Sequence, residues 1–267
     1  MSSFDNPNQL PKCMFLAKNL FSTSKKHIAD GASASVFYGR YNDTKVCIKQ
    51  YKSTVTESEI LNEAKILCSL PASEYFCFIV GICLDTPRRL VTSFFGSDFP
   101  IKNTLDYSIR SKEVSLAHSI SIMSKLLCGI SLLHQHNIFH GDLKPNNILV
   151  MFVNSSVHLK IIDFGCSSLI SNFNERTFLE LVENEEKKLI CRCNRHTAPE
   201  VHYGYPRSKY SDIYGAGYCF SKLFSIHPVL AKHKNLVSTM KRCENLDPYS
   251  RPSLSEIVQA LDICRIK

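Results

Sequence analysis

The chain has 267 residues, 44% of them hydrophobic, and a net charge of +8. That length suits one two-lobed enzyme without a second large domain, and that apolar fraction excludes a disordered chain. Its 12 cysteines are scattered with no C-x-x-C pair, which excludes a zinc frame and a paired-disulfide frame. The first residues, M-S-S-F-D-N-P-N-Q-L-P-K, hold no apolar signal core, and no run approaches about 18 apolar residues. A reduced, soluble, intracellular chain is expected, in cytoplasm or nucleus, with its thiols packed as small hydrophobes. The basic residues are spread out, as in Lys25-Lys26, Lys187-Lys188 and Lys241-Arg242. No basic stripe interleaved with aromatics occurs, so nucleic-acid binding is not expected.

In chain order, residues 1–20 are polar and irregular and read as an N-terminal arm. The run I-A-D-G-A-S-A-S-V-F-Y-G-R-Y-N-D-T-K-V-C-I-K, from Ile28 to Lys49, reads as strand, turn, strand, strand, with Asn42-Asp43 as a hairpin signal. Its small residues let a backbone approach an anion, although Ala29 and Ala34 cannot freely take φ > 0 as Gly31 can. A helix starts near Thr56, where T-E-S-E forms a capping box with Glu59. Ile60, Leu61, Ala64, Leu67 and Leu70 make its apolar stripe, and Glu63 lies beside that stripe. Phe76–Leu84 and Leu90–Phe95, separated by D-T-P-R-R, complete a small antiparallel sheet of about five strands. From Ser115 to Gln135, Leu116, Ile120, Met123, Leu127, Ile130 and Leu133 repeat at helix spacing.

That helix leads into H-G-D-L-K-P-N-N-I-L-V, from His140, and then, past an Asn-Ser-Ser turn, into I-I-D-F-G. Two apolar blocks, Ile148-Leu149-Val150 and Leu159 to Ile162, read as two short strands joined by a hairpin. Asp142 and Asp163 would face one cleft with Asn147 between them. One acid can orient a hydroxyl; the other, with the Asn, can hold Mg²⁺ against a nucleotide triphosphate. Further on come R-H-T-A-P-E, ending at Glu200, and S-D-I-Y-G-A-G, an apolar helix opening at Asp212. Last come C-E-N-L-D-P-Y-S-R-P-S and a helix capped by Ser253 with Glu256, carrying Ile257, Ala260, Leu261 and Cys264.

H-G-D-L-K-P-N-N resembles the catalytic loop of protein kinases, and D-F-G resembles their magnesium turn. The resemblance covers about residues 25–265. It implies an α+β, two-lobed protein-kinase-like fold, with a five-stranded antiparallel sheet plus one helix in the N-lobe (21–96) and a mainly helical C-lobe (97–267). Asp142, Lys144 and Asn147 would be catalytic, and Asn147 and Asp163 would hold Mg²⁺. ATP would meet Ala29, Gly31, Ala34 and Val36 of a depleted glycine-rich loop, then Cys47 and Lys49 of a V-C-I-K strand. Glu63 would pair with Lys49, Thr92 would be the gatekeeper ahead of a Ser93–Phe95 hinge, and Leu149 would also be cofactor-binding. Glu200 would pair with Arg251, and Asp212 would bond the catalytic-loop backbone.

Gly141 stands where most protein kinases carry Arg, and H-G-D-x-x-x-x-N also resembles aminoglycoside and choline phosphotransferases. The A-P-E, S-D-I-Y-G-A-G and S-R-P-S set favours protein substrates, and Lys144 favours Ser/Thr over Tyr. The position where Lys144 would find a Thr is Cys193, and R-H-T-A-P-E also resembles the K-W-T-A-P-E of tyrosine kinases. The expected function is transfer of the ATP γ-phosphate to Ser/Thr hydroxyls of proteins. The alternatives are a catalytically weak pseudokinase or scaffold and, behind it, a small-molecule phosphotransferase. Between Asp163 and Glu200, Phe178, Leu181, Val182 and Leu189 suggest a short helix. Ser167, Ser168, Ser171 and Thr177 are candidate phosphorylation positions, but Gly141 removes the arginine that would dock such a phosphate. Control is therefore expected from the arm, this segment or a regulatory protein partner.

Overall fold

The computed structural model describes residues 10–96, 103–169 and 195–265. The chain divides into two compact units, residues 1–101 and 102–267.

The first unit is built on an antiparallel sheet of strands β1 (Phe21–Asp30), β2 (Ala34–Tyr41), β3 (Thr44–Tyr51), β4 (Ile79–Cys83) and β5 (Arg89–Ser93), in the order β1-β2-β3-β5-β4. Asn42 and Asp43, with φ of 46° and 60°, form the two-residue turn between β2 and β3. Both residues tolerate the left-handed region that such hairpins need. The sheet's two faces differ in kind. Val46, Ile48 and Val91 point to one face and pack with Leu16, Phe21 and Cys83 into a core. The other face carries Lys49 and its neighbours.

Two sequence expectations change here. The arm does not run free to residue 20: Leu16 is buried in that core and its N–H donates to Ile82 O at 2.7 Å. A Cβ at Gly81 would meet Leu16 and Met14 within 2.7 Å, so Gly81 is what lets this segment lie against β4. β1 also begins at Phe21 rather than near Ile28, since alternation in a polar strand end is weak.

Helix α1 (Glu57–Ser69) begins as expected. Thr56 Oγ1 accepts from Glu59 N–H, and Thr56 N–H donates to Glu59 Oε2. Its buried face is Ile60, Glu63, Ala64, Ile66 and Leu67; Leu61 and Leu70 are only half-buried. An acid therefore belongs to the inward face of this helix.

The second unit holds α2 (Leu105–Arg110), α3 (Leu116–Gln135), the hairpin β6 (Ile148–Val153) and β7 (Ser156–Ile161), α4 (Pro199–His202), α5 (Lys209–Ile226), α6 (Lys234–Cys243) and α7 (Leu254–Arg265). Asn154 and Ser155, at φ 47° and 65°, close the hairpin. α3 is the core helix: Ile122, Met123, Leu126, Leu127, Ile130 and Leu133 are buried, and it packs against β7, α5 and α7. Its most apolar window has a mean hydropathy of 1.6, enough by length and composition to cross a membrane. Burial of that stripe inside the unit accounts for the same composition.

α5 starts at Lys209, one turn before the expected Asp212, because Ser208 and Ser211 bond each other at its N-terminus. The expected helix around Phe178–Leu189 lies outside the described residues, as do Ser171, Thr177, Cys191 and Cys193. α2, α4 and α6 have no counterpart in the sequence reading.

Candidate active site

The sheet register of the first unit collects the predicted nucleotide-side residues. Ala29 pairs with Val36, Val36 with Lys49, and Lys49 with Leu90; Cys47 pairs with Thr92 one step along. Directly paired residues share a face, and so do residues two apart. Ala29, Ala34, Val36, Cys47, Lys49 and Thr92 therefore lie on one face, opposite the Leu16–Phe21 core. Neither alanine has a positive φ, so the loop holds them without the strain anticipated for that position. Gly31 N–H donates to Ala34 O at 2.8 Å, and Lys52 Nζ donates to Gly31 O at 2.7 Å, pinning the turn. Burial, with Cys77 adding to it, pushes the Cys47 thiol up to about 12, so it is a neutral, small packing group.

Lys49 Nζ donates to both carboxylate oxygens of Glu63, at 2.7 and 2.8 Å. Glu63 is 3% exposed, so this bond is shielded from water. The sequence reading missed the third member. Tyr51 lies two residues after Lys49, hence on the same face, and its hydroxyl donates to Glu63 Oε2 at 2.8 Å. The Lys49 ammonium also lies 5.3 Å from the Tyr51 ring centroid. Tyr51→Phe should lower stability by about 1.5–3 kcal/mol, the worth of a hydrogen bond to a charged group. Thermal unfolding of the two proteins measures this.

The second unit holds the loop from His140 to Asn147. Lys144 Nζ donates to Asp142 Oδ2 at 2.7 Å. Asn147 Nδ2 donates to Asp142 O at 2.9 Å and to its Oδ2 at 3.0 Å. His196 Nε2 lies 3.3 Å from the other oxygen, Oδ1. Burial pushes the Asp142 carboxyl up, but the His196 and Lys144 donors outweigh it and hold it down to about 2. Asp163 follows β7 at φ 67°, a left-handed position that costs an Asp energy and that functional residues often occupy. Leu149 lies in β6 opposite Lys160 and bridges to Thr104.

The loop is held from beneath by buried polar groups. His140 is fully buried; its Nε2 meets Ile162 O at 3.0 Å and its Nδ1 accepts from Asp142 N–H at 3.3 Å. Those two contacts fix the Nε2–H tautomer. Asp212 accepts from His140 N–H at 2.9 Å and Gly141 N–H at 2.7 Å, with His134 Nε2 at 2.9 Å. Gly215, one turn along α5, lets that helix touch the loop: a Cβ there would meet Leu143 O at 2.7 Å. Glu200 and Arg251 form a two-pronged pair, 2.7 Å at each prong, with both side chains at 0% exposure. Arg251 also donates to Tyr210 O and Asn245 O. Ser167, one of the candidate phosphorylation positions, is buried and donates to His140 O at 2.9 Å, so its hydroxyl is a structural donor rather than an exposed acceptor.

A protein-kinase-domain family model matches residues 22–261. The chain belongs to the protein kinase family. "Ankyrin repeat-containing protein kinase A" of Dictyostelium discoideum is 31% identical over 195 residues, covering 71% of this chain and 12% of the relative. "Probable serine/threonine-protein kinase gdt4" of the same organism is 25% identical over 205 residues, covering 75% and 12%. "Cyclin-dependent kinase 20" of Danio rerio is 29% identical over 215 residues, covering 76% and 56%. The chain thus spans 12% of the length of the first two and about half of the third. An antiparallel N-terminal sheet followed by a helical region is the arrangement this family predicts.

Gly141 of the loop is closely packed. Gly141 has φ +75°, and a Cβ there would run into Arg207 Cδ. Arg207 Nε donates to Gly141 O at 3.2 Å. Nothing in the sequence links these residues, which are distant in the chain. Gly141→Ala should cost about 1–2 kcal/mol for the left-handed backbone alone, before Arg207 is displaced. Urea unfolding at constant pH reads this directly.

Proposed function

We propose that this kinase transfers the γ-phosphoryl group of ATP to Ser/Thr hydroxyls of protein substrates. The observation that carries the reading is Asp142, ionised and held at both oxygens, with Lys144 on one of them. An oriented carboxylate positions a hydroxyl and accepts its proton as the oxygen bonds to phosphorus and the β–γ bridging oxygen departs. Lys144 offsets charge on the moving phosphoryl group, and Lys49, set by Glu63 and Tyr51, grips the ATP phosphates. Lys144 and the serine/threonine-kinase name of the gdt4 relative support Ser/Thr over Tyr.

The donor chemistry fits Mg²⁺. Both amide hydrogens of Asn147 are spent on Asp142, which leaves its Oδ1, a hard oxygen, for a cation. Asn147 and the Asp163 carboxylate would hold the ion, which when bound neutralises phosphate charge. Among the described residues no group of three or more His, Cys, Asp or Glu is placed to hold a metal. Mg²⁺ is usually bound by one or two protein oxygens with phosphates and water, a set that Asn147 and Asp163 fit. Twelve cysteines scattered through the sequence with no C-x-x-C pair fit a reducing, intracellular setting.

The test is labelled ATP on a mixed peptide library, read for Ser, Thr and Tyr. Label should enter Ser and Thr, vanish with EDTA, return with Mg²⁺, and be lost in Lys49→Met and Asp163→Ala. ATP binding without any transfer would instead establish a scaffold, and transfer to choline or aminosugars alone a small-molecule kinase.

A further inference from the structure

Two of the three side-chain contacts of Asp142 come from its own loop and meet at Oδ2. The third comes from His196, far along the chain, and reaches Oδ1. The distinction matters because a carboxylate's terminal torsion is broad. The planar group turns as one body about Cβ–Cγ, and two donors on one oxygen resist that rotation from one side only. A donor on the second oxygen opposes the rotation from the other side, and so narrows the direction of the lone pair that must meet a hydroxyl.

His196 is well placed to act as a fixed donor. Its side chain is 21% exposed, and its ring is tilted against Tyr218, centroids 6.0 Å apart at 55°. Tyr218 belongs to α5, the helix whose Asp212 bonds the loop backbone. Two residues after His196 begins Ala198-Pro199-Glu200, and Glu200 is clamped by Arg251. The segment bearing the imidazole is thus anchored on one side by a buried ion pair and braced by a core helix. An imidazole nitrogen facing a carboxylate oxygen at this distance must carry its proton, so Nε2–H is the donor.

We propose that His196 is a positioning residue for phosphoryl transfer: it donates from Nε2 to Asp142 Oδ1 and sets the orientation in which the carboxylate receives the substrate hydroxyl. The proposal rests on the reading of the chain as an active kinase. His196 does not touch ATP or the moving phosphoryl group. Its loss should therefore act on kcat and leave the KM for ATP alone.

The decisive pair is His196→Leu, which has no donor, and His196→Gln, which keeps an N–H. His196→Leu should lower kcat roughly 10- to 100-fold, the worth of one hydrogen bond to a charged group. The KM for ATP should stay within about twofold, as expected when only the chemical step is touched. His196→Gln should recover most of the lost rate. Equal rates in wild type and His196→Leu, or equal losses in the Leu and Gln variants, would overturn the proposal. A second readout needs no turnover. In ¹⁵N-histidine-labelled protein, Asp142→Asn should shift the His196 Nε2 resonance, and an unmoved resonance would overturn the contact itself. If wild type transfers no phosphate but the resonance shifts, the kinase reading fails and the contact stands.

Discussion

Asp142→Asn is expected to lower kcat for peptide phosphorylation by roughly 10²- to 10⁴-fold, the range for loss of a positioned general base. The amide keeps the size of the carboxylate and can still accept from Lys144 at its oxygen, so the fold should persist. ATP affinity should change little, because Lys49, Glu63 and Tyr51 bond one another within the first unit. Steady-state kinetics beside nucleotide titration separates the two effects. The same variant reports on acid stability. The folded environment depresses the Asp142 pKa to about 2, against about 3.9 unperturbed. Its contribution is therefore present above pH ~4 and is lost as pH falls toward 2. Between pH 5 and pH 2 the wild type should lose more stability than Asp142→Asn. An equal loss in urea titrations would mean that the His196 and Lys144 contacts do not persist in solution.

The second large effect concerns Arg251. Arg251→Ala leaves the Glu200 carboxylate fully buried without its partner, and it strips donors from Tyr210 O and Asn245 O. Breaking a buried pair from one side costs about 3–5 kcal/mol. For a chain of this size each kcal/mol moves Tm by about 2–4 °C, so a drop of roughly 6–20 °C is expected. Replacing both partners, with Glu200→Leu added to Arg251→Met, should recover much of that loss, since apolar pairs of similar volume relieve the desolvation penalty. A calorimetric double-mutant cycle tests this, and strict additivity would show that the two side chains do not act as a unit.

Local chemistry was readable from the sequence wherever both partners lie within a few residues. Thr56 with Glu59 and Ser253 with Glu256 are visible as capping boxes, and both form. Asn42-Asp43 and Asn154-Ser155 are visible as turns, and both adopt the left-handed conformation that their residue types allow. Family resemblance reached further, to Lys49 with Glu63 and Glu200 with Arg251. What escaped lies between these two kinds of signal. Tyr51 was within reach, because a residue two along a strand shares a face with Lys49. α6 was also within reach: Leu236, Met240 and Cys243 keep helix spacing beneath a charged exterior. α2 is a single turn and a half, too short for a period to register. His196 and Arg207 were out of reach, since each meets its loop partner only after the chain has folded back and neither belongs to a pattern that names such a contact.

The Arg207 stem over Gly141 ties the fates of two distant codons. Any side chain at 141 needs the volume that Arg207 fills, so a larger residue there must move the Arg207 side chain as well as bear the left-handed backbone. Shortening 207 first opens a gap beside a backbone still bent for glycine. The two positions are therefore coupled in part: a saturation screen of 141 combines the cost of the left-handed backbone with that of moving Arg207, and a joint library removes only the second.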